Sequence, residues 1–255
     1  MREPDAPGEG RIAYGEDPSQ YGELYLPDAS VGAPRGVVVV IHGGFWRAEY
    51  DASLGRPLAV SLAAEGWAAW NLEYRRIGNG GGTPATFDDV AAGIDALRDL
   101  RLGGLDLATA PVVTLGHSAG GHLAAWAAGR LRDQRWAGGL PVTAVVSQAG
   151  VLDLRASEEA GLGGGAAAAL LGHAPTEADA AYDPAQQIPL DVPVWCVHGT
   201  ADTNVPLSQS GSYVARAQEA GAEATLVEVA GDHFVVIDPD SEAWAQTLAV
   251  LDELG

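Results

Sequence analysis

The 255-residue chain is 47% hydrophobic and carries a formal net charge of −20, with 34 acidic residues against 14 basic ones, every one of them arginine. That length suits a single α/β domain over residues 1–255 with a substantial core, and no apolar run approaches the roughly eighteen residues needed to cross a bilayer. The missing lysine excludes Schiff-base, Ser–Lys dyad and Walker-type phosphate chemistry, and the acidic surface argues against nucleic acid and anionic membranes as partners.

Residues 12–27 read as a short antiparallel opening, with Glu23-Leu24-Tyr25-Leu26 the clearest strand and Pro27 its end. A turn-rich stretch over 28–36 leads into Val37-Val38-Val39-Val40-Ile41, the pattern of a strand buried on both faces. A helix over 53–65, stopped by Gly66, precedes a strand over 67–74. The glycine run 78–82 lacks the strand–glycine–helix setting and the lysine of a phosphate cradle and reads as a linker. Val90, Ile94, Leu97 and Leu100 have helical spacing within 86–101, with Thr86 as the expected N-cap and Asp88 and Asp89 in the first turn.

Strand Val112-Val113-Thr114-Leu115, an alanine-rich helix over 121–131 and a strand over 142–147 follow. Residues 150–190 form a longer excursion, read as one helix over 166–171 between long loops, with a small lid or insert as the alternative. A strand over 192–197, a helix over 205–220, a strand over 224–229 and a helix over 240–254 complete the chain. Strands alternating with helices imply a mostly parallel twisted sheet with helices on both faces.

The chemistry is concentrated at strand ends. Gly116-His117-Ser118-Ala119-Gly120 lies between a strand and a helix, the setting of a nucleophile elbow, in which a sharp turn lifts the serine hydroxyl out of the sheet edge. Gly116 and Gly120 supply the minimal side chains that such a turn requires. His42-Gly43-Gly44-Phe45-Trp46 ends the strongest strand and exposes backbone N–H groups of the kind that stabilise an oxyanion. The expected donors are Gly44, Phe45 and Ala119. Asp202, just past the strand over 192–197, is the expected acid, and His233, in the loop after the strand over 224–229, the expected base. The order Ser118, Asp202, His233 is that of the hydrolase elbow and not of the chymotrypsin or subtilisin folds.

Other titratable groups take lesser parts. Asp232 is the reserve acid, His198 a packed or turn-stabilising histidine, and His122 a structural residue in the first helical turn. His173 is a surface residue, and His42 braces the oxyanion turn. Phe45, Trp46, Tyr74, His117 and Phe234 are the candidates to line the substrate pocket. Cys196, between Trp195 and Val197, forms no internal disulfide and is expected to be buried and inert. With no leader pattern in Met1-Arg2-Glu3-Pro4-Asp5, this points to a reducing cytoplasm. No Cys/His cluster has zinc-like spacing, so neither a metal nor a cofactor is expected.

With these motifs in place, the whole chain resembles an α/β-hydrolase of the esterase type. His-Gly-Gly-Phe-Trp together with Gly-His-Ser-Ala-Gly-Gly-His-Leu is similar to the kynurenine formamidase (arylformamidase) family and related small carboxylesterases. The resemblance implies an oxyanion hole on residues 42–46 and a triad of Ser118, Asp202 and His233. The likeness to the hormone-sensitive-lipase family is partial: Phe45 stands where that family carries a third glycine, and His117 where it carries Asp. Only 41 residues precede His42, which leaves no room for a large N-terminal cap and implies an accessible pocket for short acyl groups.

The leading reading is therefore a serine hydrolase that cleaves small carboxylic esters, or N-formyl or aryl amides, through an acyl-enzyme intermediate. A prolyl-oligopeptidase-type peptidase and a feruloyl-type esterase are the alternatives; the lack of a propeller domain and of a visible site for a substrate amine in this chain counts against the former. A non-catalytic binding protein of the same fold would not need all three triad members and both oxyanion elements.

Overall fold

Val37, Val39 and Ile41 pack into one hydrophobic cluster, Val38 and Val40 into another, and all five are buried. A strand hides both faces only where helices cover both. In the computed structural model, which describes residues 10–255, this strand is β3 (Val37–Ile41), near the centre of an eight-stranded sheet. The other strands are β1 (Arg11–Ala13), β2 (Tyr21–Tyr25), β4 (Ala68–Leu72), β5 (Val112–His117), β6 (Ala144–Gln148), β7 (Val194–Gly199) and β8 (Ala224–Val229). Their order is β1-β2-β4-β3-β5-β6-β7-β8. β1 and β2 pair antiparallel, as does β2 with β4, and every other pairing is parallel. The leader reading of Met1-Arg2-Glu3-Pro4-Asp5 lies outside the described residues.

Two helix layers complete the core. α2 (Ala85–Asp95), α3 (Ala119–Gly129) and α6 (Ser208–Glu219) pack on the face of Val37, Val39 and Ile41. α1 (Arg56–Ala64) and α7 (Glu242–Asp252) cover the face of Val38 and Val40, burying Leu58, Leu62, Trp244 and Leu251. Each such large apolar side chain removed from water contributes about 1.5–3 kcal/mol. The parallel strands β3, β5, β6, β7 and β8 all run toward one edge, where the loops carrying Ser118, Asp202 and His233 emerge, the usual place for a site in an open α/β sheet.

The elements differ from the sequence reading mainly at their ends. The expected helix 53–65 opens as a 3-10 turn, Ala52–Leu54, capped by Asp51, before α1 begins with a proline in its first turn. The expected helix 86–101 stops at Asp95 and tightens into a 3-10 turn, Ala96–Asp99. Thr86 is not its N-cap: the hydroxyl is buried, donates to the Arg75 carbonyl over 2.7 Å and accepts from Gly82 N–H. Asp89 is buried against Arg75 at 2.6 Å. Residues 150–190 hold two short helices, α4 (Leu154–Glu159) and α5 (Ala166–Leu171), with 3-10 turns between and after them. Cys196 is buried on β7, and burial pushes its thiol up to about 12.

Candidate active site

Ser118 joins β5 to α3 with φ 56 and ψ −117, a conformation that costs an L-residue on the order of 1–3 kcal/mol. The strain is held by sterics and hydrogen bonds. A Cβ on Gly116 would lie 2.0 Å from the Gly120 carbonyl oxygen, and one on Gly120 would lie 2.0 Å from the Ile41 carbonyl oxygen. Ser118 N–H donates to the Gln148 carbonyl at the end of β6 over 2.8 Å. The elbow glycines are thus required by space, not by φ.

The two other loops converge on this point. His233 Nδ1 donates to Asp202 Oδ2 over 2.6 Å. Asp202 Oδ1 accepts from the N–H groups of Asn204 (2.8 Å) and Val205 (2.9 Å), and His198 Nε2 lies 3.3 Å from Oδ2. With Nδ1 committed as a donor, His233 Nε2 is left as the basic nitrogen. Asp232 instead accepts from Phe234 and Val235 N–H and so starts the turn after the histidine. A Cβ on Gly199 would lie 2.4 Å from the Asp232 carbonyl oxygen, so the His233 loop rests directly on the end of β7.

His117 stands between serine and histidine. Its Nε2 donates to the His233 carbonyl over 2.9 Å, and the two rings are 4.4 Å apart. Burial, with a smaller contribution from neighbouring His233, pushes its pKa down to about 3, so it is neutral at ordinary pH and no proton carrier. His198, also buried, is shifted down by desolvation and bonds Ser210 and the Val205 carbonyl. His122 is pushed down to about 4 by burial and packs edge-on against Trp46 and Phe87. His173 is exposed.

Residues 42–46 lie against the elbow: a Cβ on Gly43 would come within 3.1 Å of the Ser118 Cβ. Gly44, Phe45 and Trp46 have φ of 109, 50 and 56 in succession. Among the described residues, the N–H groups of Gly44, Phe45 and Ala119 donate to no other group of the protein. Ala119 is also the first residue of α3, where the helix dipole favours negative charge.

The residues proposed to line the pocket are not placed alike. Trp46 and Tyr74 are fully buried and belong to the core beneath the site, not to its wall. The left-handed turn sends Trp46 inward onto His122, and Tyr74 stacks on His42 at 4.5 Å while its hydroxyl donates to the His42 carbonyl over 2.7 Å. His117 is 6% exposed. Phe45 is partly buried against Gly163, whose carbonyl accepts from Arg47. Phe234 is 55% exposed with its ring 5.3 Å from that of His233.

Sequence reasoning missed three residues. Tyr50 is 46% exposed and packs on Gly44; only its place on the loop after the oxyanion turn hinted at this. Gln148 holds Ser118 with its carbonyl and Val236, near His233, with its side-chain amide. Glu73 is a buried carboxylate bonded to both ends of the 42–52 loop, and a lone acid inside an apolar strand was the available signal.

With the elbow, the acid–histidine pair and the free amides on one sheet edge, relatives can be weighed. The family model BD-FAE matches residues 23–216. The chain belongs to the BD-FAE family. Esterase LipC of Mycobacterium tuberculosis is 29% identical over 134 residues, covering 51% of this chain and 32% of that protein. A truncated carbohydrate esterase from gut microbiota superposes with a TM-score of 0.78 at 22% identity, covering 98% of this chain and 96% of that one. Propionate-bound Est2, a thermophilic esterase of Thermogutta terrifontis, gives 0.75 at 25% identity over 98% and 94%. The fold of this BD-FAE chain is that of the α/β-hydrolases. Among the described residues, no helix is long and apolar enough to cross a membrane, and no three His, Cys, Asp or Glu side chains gather around a potential metal position.

Proposed function

We propose that this protein is a serine hydrolase of small carboxylic esters, working through an acyl-enzyme on Ser118. The observation that carries the reading is the 2.6 Å Asp202–His233 bond, held by His117 beside a strained serine. His233 Nε2 takes the hydroxyl proton as Ser118 attacks the acyl carbon, and Asp202 stabilises the imidazolium that forms. The amides of Gly44, Phe45 and Ala119 receive the oxyanion, donors fixed before charge develops. His233 returns the proton to the leaving alcohol, then activates the water that releases the acid.

Short acyl groups suit the site. Ser118 and His233 are only 2% and 3% exposed, and Phe45 with Gly163 closes one side. Related Est2 was solved with propionate bound, and LipC is described as an esterase. Tyr50, packed on Gly44, and Phe234, beside His233, are both exposed and offer flat faces to the leaving group. An N-formyl aryl amide is the finer alternative, resting on the motif at residues 42–46.

A panel of p-nitrophenyl acetate, butyrate and palmitate with N-formylkynurenine and an aminoacyl anilide tests this reading. Acetate and butyrate should have the highest kcat/KM. Palmitate as the best substrate would overturn the short-acyl reading, and the anilide as the best would make the protein a peptidase. No cleavage of N-formylkynurenine would remove the formamidase alternative alone.

A further inference from the structure

We propose that Glu73 is the positioning residue of the oxyanion turn, a role that rests on the Ser118 reading above. The side chain lies just past β4 and is 2% exposed. Its Oε1 accepts from Tyr74 N–H over 2.8 Å and lies 3.1 Å from Arg76 Nη2 and 3.3 Å from His42 Nε2. Its Oε2 accepts from Ala52 N–H over 2.9 Å. One carboxylate therefore ties both ends of the 42–52 loop to the end of β4. Neighbours extend the tie: Tyr74 O–H donates to the His42 carbonyl, and Arg76 donates to the Tyr50 carbonyl.

None of these bonds uses the N–H groups of Gly44 or Phe45, which stay free for an oxyanion. The segment between the ties carries three successive left-handed residues, Gly44, Phe45 and Trp46, and two of them are not glycine. Such a turn persists only where its surroundings hold it. A buried carboxylate is seldom the most stable choice for a core position. Here two of its partners, His42 and Ala52, belong to the loop, and the other two, Tyr74 and Arg76, bond loop carbonyls themselves, which accounts for its presence.

Two variants test the role. Glu73→Gln keeps the shape but sets an amide donor against one of the facing donors. Ala52→Pro deletes the N–H that Oε2 accepts from and sets its Cδ against that oxygen, so the carboxylate must withdraw from this end of the loop. Ala52 opens a 3-10 turn, where no N–H is needed, and Asp51 at φ −142 and ψ −176 already has the extended backbone that proline demands of its predecessor. Each variant should lower kcat on p-nitrophenyl acetate about ten- to a hundred-fold, approaching the loss of an oxyanion donor, while KM stays within about threefold. Affinity for a trifluoromethyl ketone, whose adduct carries the oxyanion, should fall by the same factor. Folded Ala52→Pro with unchanged kcat, or with lowered kcat but intact ketone affinity, would overturn the proposal, and it decides the matter if Glu73→Gln fails to fold. Turnover surviving in Ser118→Ala would instead remove the underlying reading, whatever Glu73 does.

Discussion

Asp202 holds His233 through a 2.6 Å bond to Nδ1, while its other oxygen is held by two backbone N–H groups of its own loop. The carboxylate cannot turn away without breaking that loop. It therefore fixes the tautomer that leaves Nε2 without the proton, which is what the proposed mechanism asks of its acid. Asp232, next to the histidine in sequence, points its carboxylate at Phe234 and Val235 N–H. Asp202→Asn should cut kcat by roughly ten-thousand-fold, whereas Asp232→Asn, which removes only part of a turn cap, should cost less than about tenfold. Steady-state kinetics on p-nitrophenyl acetate checks both; the reverse ranking would move the acid to Asp232.

Two glycines should respond oppositely to alanine. A Cβ on Gly120 would meet the Ile41 and His42 carbonyl oxygens at 2.0 and 2.6 Å, backbone that cannot step aside. Gly120→Ala should destabilise by on the order of 3 kcal/mol and displace Ser118. Gly211, inside α6, has nothing within 4 Å of an added Cβ. Gly211→Ala should stabilise by roughly 0.5–1 kcal/mol. Urea unfolding of the two variants beside the parent protein measures the difference.

Stability should fall as pH drops below neutrality. Burial first, then neighbouring His233, holds His117 down at about 3, and burial holds His122 at about 4. Both lie below the ordinary histidine value near 6.5, so between these limits the unfolded chain binds protons that the folded one refuses. The resulting stability is whole above about pH 6.5 and is lost progressively from there down to the folded values of about 3 and 4. At about pH 5 each of the two should cost roughly 2 kcal/mol relative to pH 7.5. Buried His198 acts in the same direction. Loss of negative charge with acid eases self-repulsion and opposes the effect, so urea unfolding should be followed in about 0.5 M salt, where that repulsion is screened. A flat stability profile between these pH values would show that the histidines are not buried neutral.

Much of this site was legible because strand ends carry their own punctuation. The run Val37-Val38-Val39-Val40-Ile41 is β3 with the same bounds, and the glycine spacing about Ser118 marks a turn that no bulkier residue could enter. Asp202 and His233, which the structure brings to 2.6 Å of each other, stood out as candidates because each follows a recognisable strand. Burial of side chains in loops was not legible. Trp46 and Tyr74 sit next to the site in sequence, yet a left-handed turn at Phe45 and Trp46 and a bond to the His42 carbonyl place both in the core. Glu73 and Gln148 act through contacts with segments distant in sequence, which no local pattern encodes. Thr86 looked like a cap because its hydroxyl is suited to one, but a backbone carbonyl from Arg75 claims it.

The central claim is that Ser118 is the nucleophile. Intact-mass spectrometry after exposure to a fluorophosphonate, with peptide mapping and parallel turnover of p-nitrophenyl acetate, tests it directly. One adduct should form on Ser118, and Ser118→Ala should take up none, keep the parent's thermal transition and lose activity by on the order of a million-fold. An adduct on a different residue, or a folded Ser118→Ala protein that still turns over the ester at a substantial rate, would contradict the account.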